Sequence, residues 1–225
     1  MASIPACFSW SGGKDSMLAL WRSRERGFDV RVLLSMLDES GEKNRSHAVP
    51  LHLLEAQAMA LGAQLMTRSA SWADYEREFV DALSEIKTEG IGTAIFGDID
   101  LQPHRDWEEK VCANAGLEAV LPLWEIDRRE AVAQFLDLGF KAVVICVNHQ
   151  WLDQSFCGRI FDQSFLNDLP DGVDWCGENG EFHTFVFDGP SFASPVEYEV
   201  AEIYDYVLPP AFGSASFSYA RLHAS

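Results

Sequence analysis

Apolar and polar positions follow two rhythms in the first half of the chain. Short runs at Ile4 to Phe8, Val30 to Leu37, Gln64 to Thr67, Thr93 to Phe96 and Leu117 to Leu121 predict strands. The unbroken apolar run from Val30 marks a strand buried on both faces of a parallel sheet. Between these runs apolar residues return at helical spacing. Met17-Leu18-Ala19-Leu20-Trp21 ends near Gly27, Leu51 to Leu61 is closed by Gly62, and Trp107 to Ala115 forms a further helix. Another helix opens at Ser71 as a cap and places Tyr75, Phe79, Leu83 and Ile86 on one face. Strands alternating with helices in this way predict an α/β fold with a doubly wound, parallel, five-stranded sheet and right-handed crossovers. Such sheets bind ligands beyond the carboxyl ends of their strands, where the strand order switches.

The alternation fails in the second half. Arg128 to Leu138 is helical and Lys141 to Val147 is a strand, but Leu152 to Phe165 is mixed and Asn167 to Gly172 is turn-rich. Phe182 to Phe187 and Tyr198 to Tyr206 predict strands, and the tail from Pro209 is expected to be irregular. We therefore expect two domains, residues 1–124 carrying the parallel sheet and residues 125–225 a smaller α+β domain.

Composition narrows the function classes. The chain has 225 residues, 48% of them hydrophobic, enough for one large or two modest cores. No run approaches the roughly 18 to 20 apolar residues that span a bilayer, and no basic segment precedes an apolar signal region. Five cysteines, without a Cys-x-x-Cys pair, argue against a disulfide framework or a zinc ribbon. The expectation is a cytoplasmic protein with reduced, buried thiols. Acidic residues outnumber basic ones 35 to 17, a formal net charge of −18. Phosphate backbones are bound by Lys and Arg, so a nucleic-acid partner is disfavoured. The sequence leaves a homodimer open.

Two stretches concentrate candidate chemistry. The first, Trp10-Ser11-Gly12-Gly13-Lys14-Asp15-Ser16, lies between a predicted strand and a predicted helix. Adjacent glycines permit a tight turn and close approach of a ligand. The helix start adds unpaired amides and a positive dipole end. Ser11 and Ser16 supply hydroxyls and Lys14 a mobile charge, so a polyphosphate suits the loop better than a carboxylate. It matches neither Gly-x4-Gly-Lys-Ser/Thr nor Gly-x-Gly-x-x-Gly.

The second, Asp174-Trp175-Cys176-Gly177-Glu178-Asn179-Gly180-Glu181-Phe182-His183-Thr184, puts carboxylates, an imidazole and a hydroxyl on a glycine-bounded loop. Two readings balance. The groups orient a substrate carboxylate or amine, act as base toward ammonia, or hold Mg²⁺; or they begin a hairpin with solvated Glu residues and a hydrogen-bonded His183. Lesser candidates are His47 near an adenine or loose in a loop, Asp98 as a ligand of a ribose or of Mg²⁺ or capping a turn, and Arg105 on a phosphate or paired with neighbouring acids. Trp107, Trp124, Trp151 and Trp175 are expected to pack rather than to stack on bases.

Ser11-Gly12-Gly13-Lys14-Asp15-Ser16 resembles the PP-loop of the ATP pyrophosphatases, in the adenine nucleotide alpha hydrolase-like superfamily. Glu178 to Thr184, followed by Asp188-Gly189-Pro190, is similar to the signature of the diphthine-ammonia ligase family. Ser46-His47, Gly97-Asp98-Ile99 with Arg105 downstream, Pro122-Leu123-Trp124 and Leu152 through Gly158-Arg159 extend the resemblance over nearly the whole chain. It implies ATP and Mg²⁺ as cofactors and an amide-forming ligase that adenylates a carboxylate, releases pyrophosphate, and lets ammonia displace AMP. The acceptor it implies is diphthine on elongation factor 2. By the same resemblance, residues 1–124 bind ATP and residues 125–225 take the acceptor. Ser11, Gly12, Gly13, Lys14, Asp15, Ser16, His47, Gly97, Asp98 and Arg105 are expected around the nucleotide, with Asp15 toward the metal. Lys14 serves the leaving pyrophosphate, and Glu178, Glu181 and His183 fall on the acceptor and ammonia side. The competing functions are an ATP or AMP sensor without turnover, a ligase with another carboxylate acceptor, and a tRNA-modifying PP-loop enzyme, which the acidity disfavours.

Overall fold

The structure, a computed structural model, describes residues 3–208 and 215–224. The first half alternates as its pattern predicts. In order come β1 (Ile4–Ser9), α1 (Lys14–Glu25), β2 (Phe28–Leu37), α2 (Leu51–Leu61), β3 (Gln64–Ser69), α3 (Tyr75–Thr88), β4 (Thr93–Ile95), α4 (Gln102–Ala115) and β5 (Glu118–Val120). The five strands form a parallel sheet in the order β3-β2-β1-β4-β5. The strand order turns back at β1, so the crevice between the ends of β1 and β4 is the switch point where such sheets bind ligands.

The apolar run of β2 is explained by its two covered faces. Val30, Leu33 and Leu37 join one core with Ala6, Phe8 and Ile95, packed with residues of α1 and α2. Val32, Leu34 and Met36 join the other with Cys7, Ala94 and Phe96, packed with residues of α3 and α4. With period-two side chains, a strand covered on both sides needs apolar residues at every position.

The second half gives α5 (Arg128–Asp137), β6 (Lys141–Asn148), α6 (Gln163–Asp168), β7 (Phe182–Asp188), β8 (Glu199–Val207) and β9 (Ser216–His223). These strands form an antiparallel sheet in the order β7-β6-β9-β8. Val144, Phe185 and Leu222 of this sheet belong to the same core as Phe8 and Leu18, so a single apolar cluster runs through both halves.

Three expectations change. The tail is not irregular throughout: β9 fills the gap between β6 and β8, while residues 209–214 lie outside the described residues. Burial alternates regularly along it, but hydropathy does not, since Ser218 is buried beside the more open Phe217 and Tyr219, so its pairing with β6 and β8 is what reveals the strand. Helix α4 starts at Gln102 rather than Trp107, with Pro103 at its start, which brings His104 into its first turn. Ser71 does not cap α3; its hydroxyl accepts from the Asp74 amide in a preceding turn, and the helix starts at Tyr75. All five cysteines are buried and free, and among the described residues no helix is long and apolar enough to cross a membrane.

Candidate active site

The loop after β1 is held from behind. Gln57 of α2, fully buried, accepts from the Trp10 indole at 2.9 Å and donates to the carbonyls of Gly12 (3.0 Å) and Val186 (2.6 Å). The Val186 amide donates to the Gly12 carbonyl at 3.0 Å, and the Lys14 amide donates to Thr184 Oγ1 at 3.1 Å. Strand β7 therefore stitches the second half of the chain onto the turn that opens α1. Gly12 takes a φ of +82°, open to glycine at little cost. Gly13 is the residue before α1 and has no side chain to cap it, so the helix start keeps unpaired amides for an anion. Ser11 and Ser16 hydroxyls lie 2.8 Å apart beside them.

A cleft of about 720 Å³ opens here. Its walls include Ser11, Lys14, Asp15 and Ser16 from the first loop, His47 from the loop before α2, and Gly97 and Asp98 after β4. Glu178, His183 and Thr184 close it from the second half. Gly97 lies where a Cβ would come 3.0 Å from the Ser16 amide nitrogen, so the end of β4 touches the start of α1.

Charge in the cleft is crowded. Lys14 Nζ, buried, donates to Asp15 Oδ2 at 2.7 Å and to the Cys176 carbonyl. Burial pulls its pKa down, but Asp15, Cys176 and Glu178 together raise it above the usual lysine value, so it stays charged. Burial, with the Asp15 charge next, pushes Glu178 up to about 8. His47 and His183 stack with ring centroids 4.4 Å apart, and His47 Nδ1 lies 3.3 Å from the Thr184 carbonyl. Burial and nearby Lys14 hold both imidazoles neutral, His183 down at about 4.

Not every expected residue faces this space. Arg105 pairs with Glu109 at 2.7 Å and lies over the Trp124 ring, away from the cleft wall, one residue round α4 from His104, which lines it. Glu181 is fully buried behind the loop rather than toward an acceptor. Its carboxylate accepts from the amides of Asp174 (3.2 Å) and Asn179 (2.9 Å) and from the Asn179 side chain (2.9 Å). It shapes the loop that presents Glu178.

Other residues enter the site without having been singled out. Arg128 binds Asp100 at 2.7 Å and Asp174 at 2.6 Å, clasping the turn after β4 to the Glu178 loop. His104 and Glu108 join the cleft wall from α4; Tyr75 of α3 and Trp107 of α4, read from the sequence as packing residues, also line it while packing against the core. The His104 to Glu108 spacing of four residues on one helix was the available signal, but it needed the correct helix start.

Among the described residues, no group of three or more His, Cys, Asp or Glu side chains is arranged to hold a metal alone. A phosphate-bound Mg²⁺ needs only one or two carboxylates, and Asp15 at the loop fits that arrangement.

A parallel sheet with a glycine-rich loop at its switch point, joined to a second, antiparallel sheet, defines the class: an α/β protein with a doubly wound sheet. The description "Diphthamide synthase N-terminal domain" matches residues 6–119 and "Diphthamide synthase C-terminal domain" matches residues 127–208, and the chain belongs to this diphthamide synthase family. Diphthine-ammonia ligase of Homo sapiens is 26% identical over 245 residues, covering 94% of this chain and 88% of that protein. The Schizosaccharomyces pombe protein of the same name is 23% identical over 222 residues, covering 87% of this chain and 36% of its own. A solved structure described as a predicted subunit of tRNA methyltransferase from Methanocaldococcus jannaschii has 15% identity and a TM-score of 0.42, covering 63% of this chain and 80% of that one.

Proposed function

We propose that this protein is an ATP-dependent ligase that activates a carboxylate as an acyl-adenylate, with release of pyrophosphate, and amidates it with ammonia, with release of AMP. The observation that carries this reading is the join between β7 and the loop before α1. Thr184 and Val186 hydrogen-bond to that loop, so the phosphate-binding turn and the Glu178 loop share one cleft. A ligase of this kind needs ATP and acceptor within bonding distance, whereas a sensor needs only the nucleotide pocket.

The α1 amides, Ser11, Ser16 and Lys14 bind the β and γ phosphates, and Lys14 stabilises the charge that gathers on the departing pyrophosphate. Mg²⁺ held at Asp15 with the phosphates supplies further neutralisation when bound. The neutral imidazoles of His47 and His183 donate hydrogen bonds without adding a competing cation beside Lys14. A largely protonated Glu178 donates to an acceptor carboxylate instead of repelling it. The names of the relatives, with the resemblance of Glu178 to Thr184, point to diphthine on elongation factor 2 as the acceptor.

The test is to incubate the protein with ATP, Mg²⁺ and ammonium, with and without elongation factor 2 carrying diphthine, and to identify the products. AMP and pyrophosphate stimulated by the acceptor are expected. ADP and phosphate would overturn the mechanism, and AMP formed without stimulation would redirect the search to another carboxylate. Tight ATP binding without cleavage would favour the sensor.

A further inference from the structure

Three ionisable side chains on the cleft wall are joined in a line that the adenylation chemistry does not use. Asp98 sits in the turn after β4, and α4 sends His104 and Glu108 toward it from successive turns of one face. His104 Nδ1 lies 2.7 Å from Asp98 Oδ1. Its side chain is 59% exposed, and Nε2 has no hydrogen-bond partner among the described residues. Behind Asp98, Glu108 is 3% exposed and its Oε2 lacks any donor.

This arrangement has a definite protonation pattern. Burial, with Asp98 beside it, pushes Glu108 up to about 11, so its carboxyl is neutral and donates to Asp98. Burial opposes charge on Asp98, yet the hydrogen bonds from His104 and Glu108 hold its pKa below the ordinary value. Asp98 is therefore an anion fixed from two sides. An anion at Nδ1 holds the proton on that nitrogen and leaves the Nε2 lone pair pointing away from the pair. A histidine that merely anchored a helix start would not need a second, buried acid behind its partner.

We propose that His104 Nε2 is the base that takes a proton from ammonia as it attacks the acyl-adenylate, with Asp98 and Glu108 as positioning residues. The proposal rests on the adenylate reading above. The nitrogen lone pair forms the C–N bond, and the acyl C–O bond to AMP breaks with its electron pair on the phosphate oxygen. One proton passes from nitrogen to Nε2, and the imidazolium so formed is stabilised by Asp98. Without that transfer the tetrahedral adduct keeps a cationic nitrogen and expels ammonia again. The titratable groups facing His104 are Asp98 on the adjoining turn, whose hydrogen bond and charge raise its pKa against the effect of burial, and Glu178 across the cleft, which adds to the rise only in its ionised form. Glu108 reaches it only through Asp98. The raised pKa makes His104 Nε2 a stronger proton acceptor than an ordinary imidazole.

The experiment separates the two half-reactions, using elongation factor 2 carrying diphthine as the acceptor. Acceptor-dependent exchange of pyrophosphate into ATP, without ammonia, reads adenylation; amide formation reads transfer. His104→Gln should keep exchange near the wild-type rate and lose roughly 10²- to 10⁴-fold in ammonia transfer. With the concentration of free ammonia held constant across the pH series, it should also lose the fall in transfer rate toward acid pH. Hydroxylamine, whose adduct nitrogen is more acidic than that of ammonia and gives up its proton to water more readily, should be transferred with a smaller loss. Asp98→Asn should slow transfer and move the acid limb to lower pH, because His104 loses its anion. Glu108→Gln, which still donates to Asp98, should rescue what Glu108→Leu disturbs. Undiminished amide formation by His104→Gln, or an equal loss of exchange and transfer, overturns the proposal and leaves the adenylate reading in place. Wild-type protein that makes neither AMP nor pyrophosphate removes both.

Discussion

Glu181 accepts three hydrogen bonds from its own loop while fully buried, so Glu181→Ala strands the amides of Asp174 and Asn179. Unpaired buried donors are costly, and the expected loss is about 2 kcal/mol or more, read from a lowered urea midpoint. An unchanged midpoint would return Glu181 to the acceptor side. His47 and His183 carry a pH signature. Their folded-state pKa values lie below the unfolded value of 6.5, His183 at about 4, so protons bind the unfolded chain first. Their contribution is complete above pH 6.5 and is lost as pH falls toward 4. His183→Asn should flatten that acid decline in thermal stability; an unaltered slope would rule out the pair as its source. The place of Ser11 to Ser16 between β1 and α1 was legible in the sequence because the stretch is contiguous and its flanks carry their own hydrophobic periods. Gln57 was not, since its partners Trp10, Gly12 and Val186 meet only after folding. Arg105 and Glu181 were misplaced for the same reason: a charge beside a motif carries no information about the direction it faces.

At the scale of elements, the contact between β4 and α1 is made backbone to backbone. A Cβ on Gly97 would lie 3.0 Å from the Ser16 nitrogen and 3.1 Å from its Cα, atoms that cannot swing aside. Gly97→Ala should push the start of α1 away, with a stability loss of about 1–3 kcal/mol and weaker ATP binding by titration calorimetry. Normal affinity would show that the anion loop tolerates the displacement. Strand and helix order in the first half followed from hydrophobic period, because burial on both faces of β2 imposes its own pattern. Boundaries followed less well. Helix α4 begins five residues before the expected start, with Pro103 in its first turn, so His104 and Glu108 stand four residues apart on one helix.

For the whole molecule, a formal charge of −18 makes the folded state repel itself. Raising ionic strength from roughly 0.01 to 1 M shortens the screening length from about 30 to 3 Å, so the melting temperature should rise with sodium chloride. A flat response would mean that the acidic surface is already compensated. Acidic groups also crowd the cleft, where Asp15 and Glu178 flank Lys14 and Asp98 lies close by. A polyanion enters such a site only with a counter-cation, so chelating Mg²⁺ should abolish ATP binding measured by calorimetry. Retained affinity would place the metal elsewhere in the reaction. By itself the sequence determined the α/β class, the anion loop and its resemblance to a ligase family, since these reside in local periodicity and contiguous motifs. Only the tertiary structure decided that β9 completes the second sheet, that β7 is stitched to the anion loop, and that His104, Asp98 and Glu108 form one line. Those facts depend on hydrogen bonds and burial between residues far apart in the chain, which hydrophobic period does not encode.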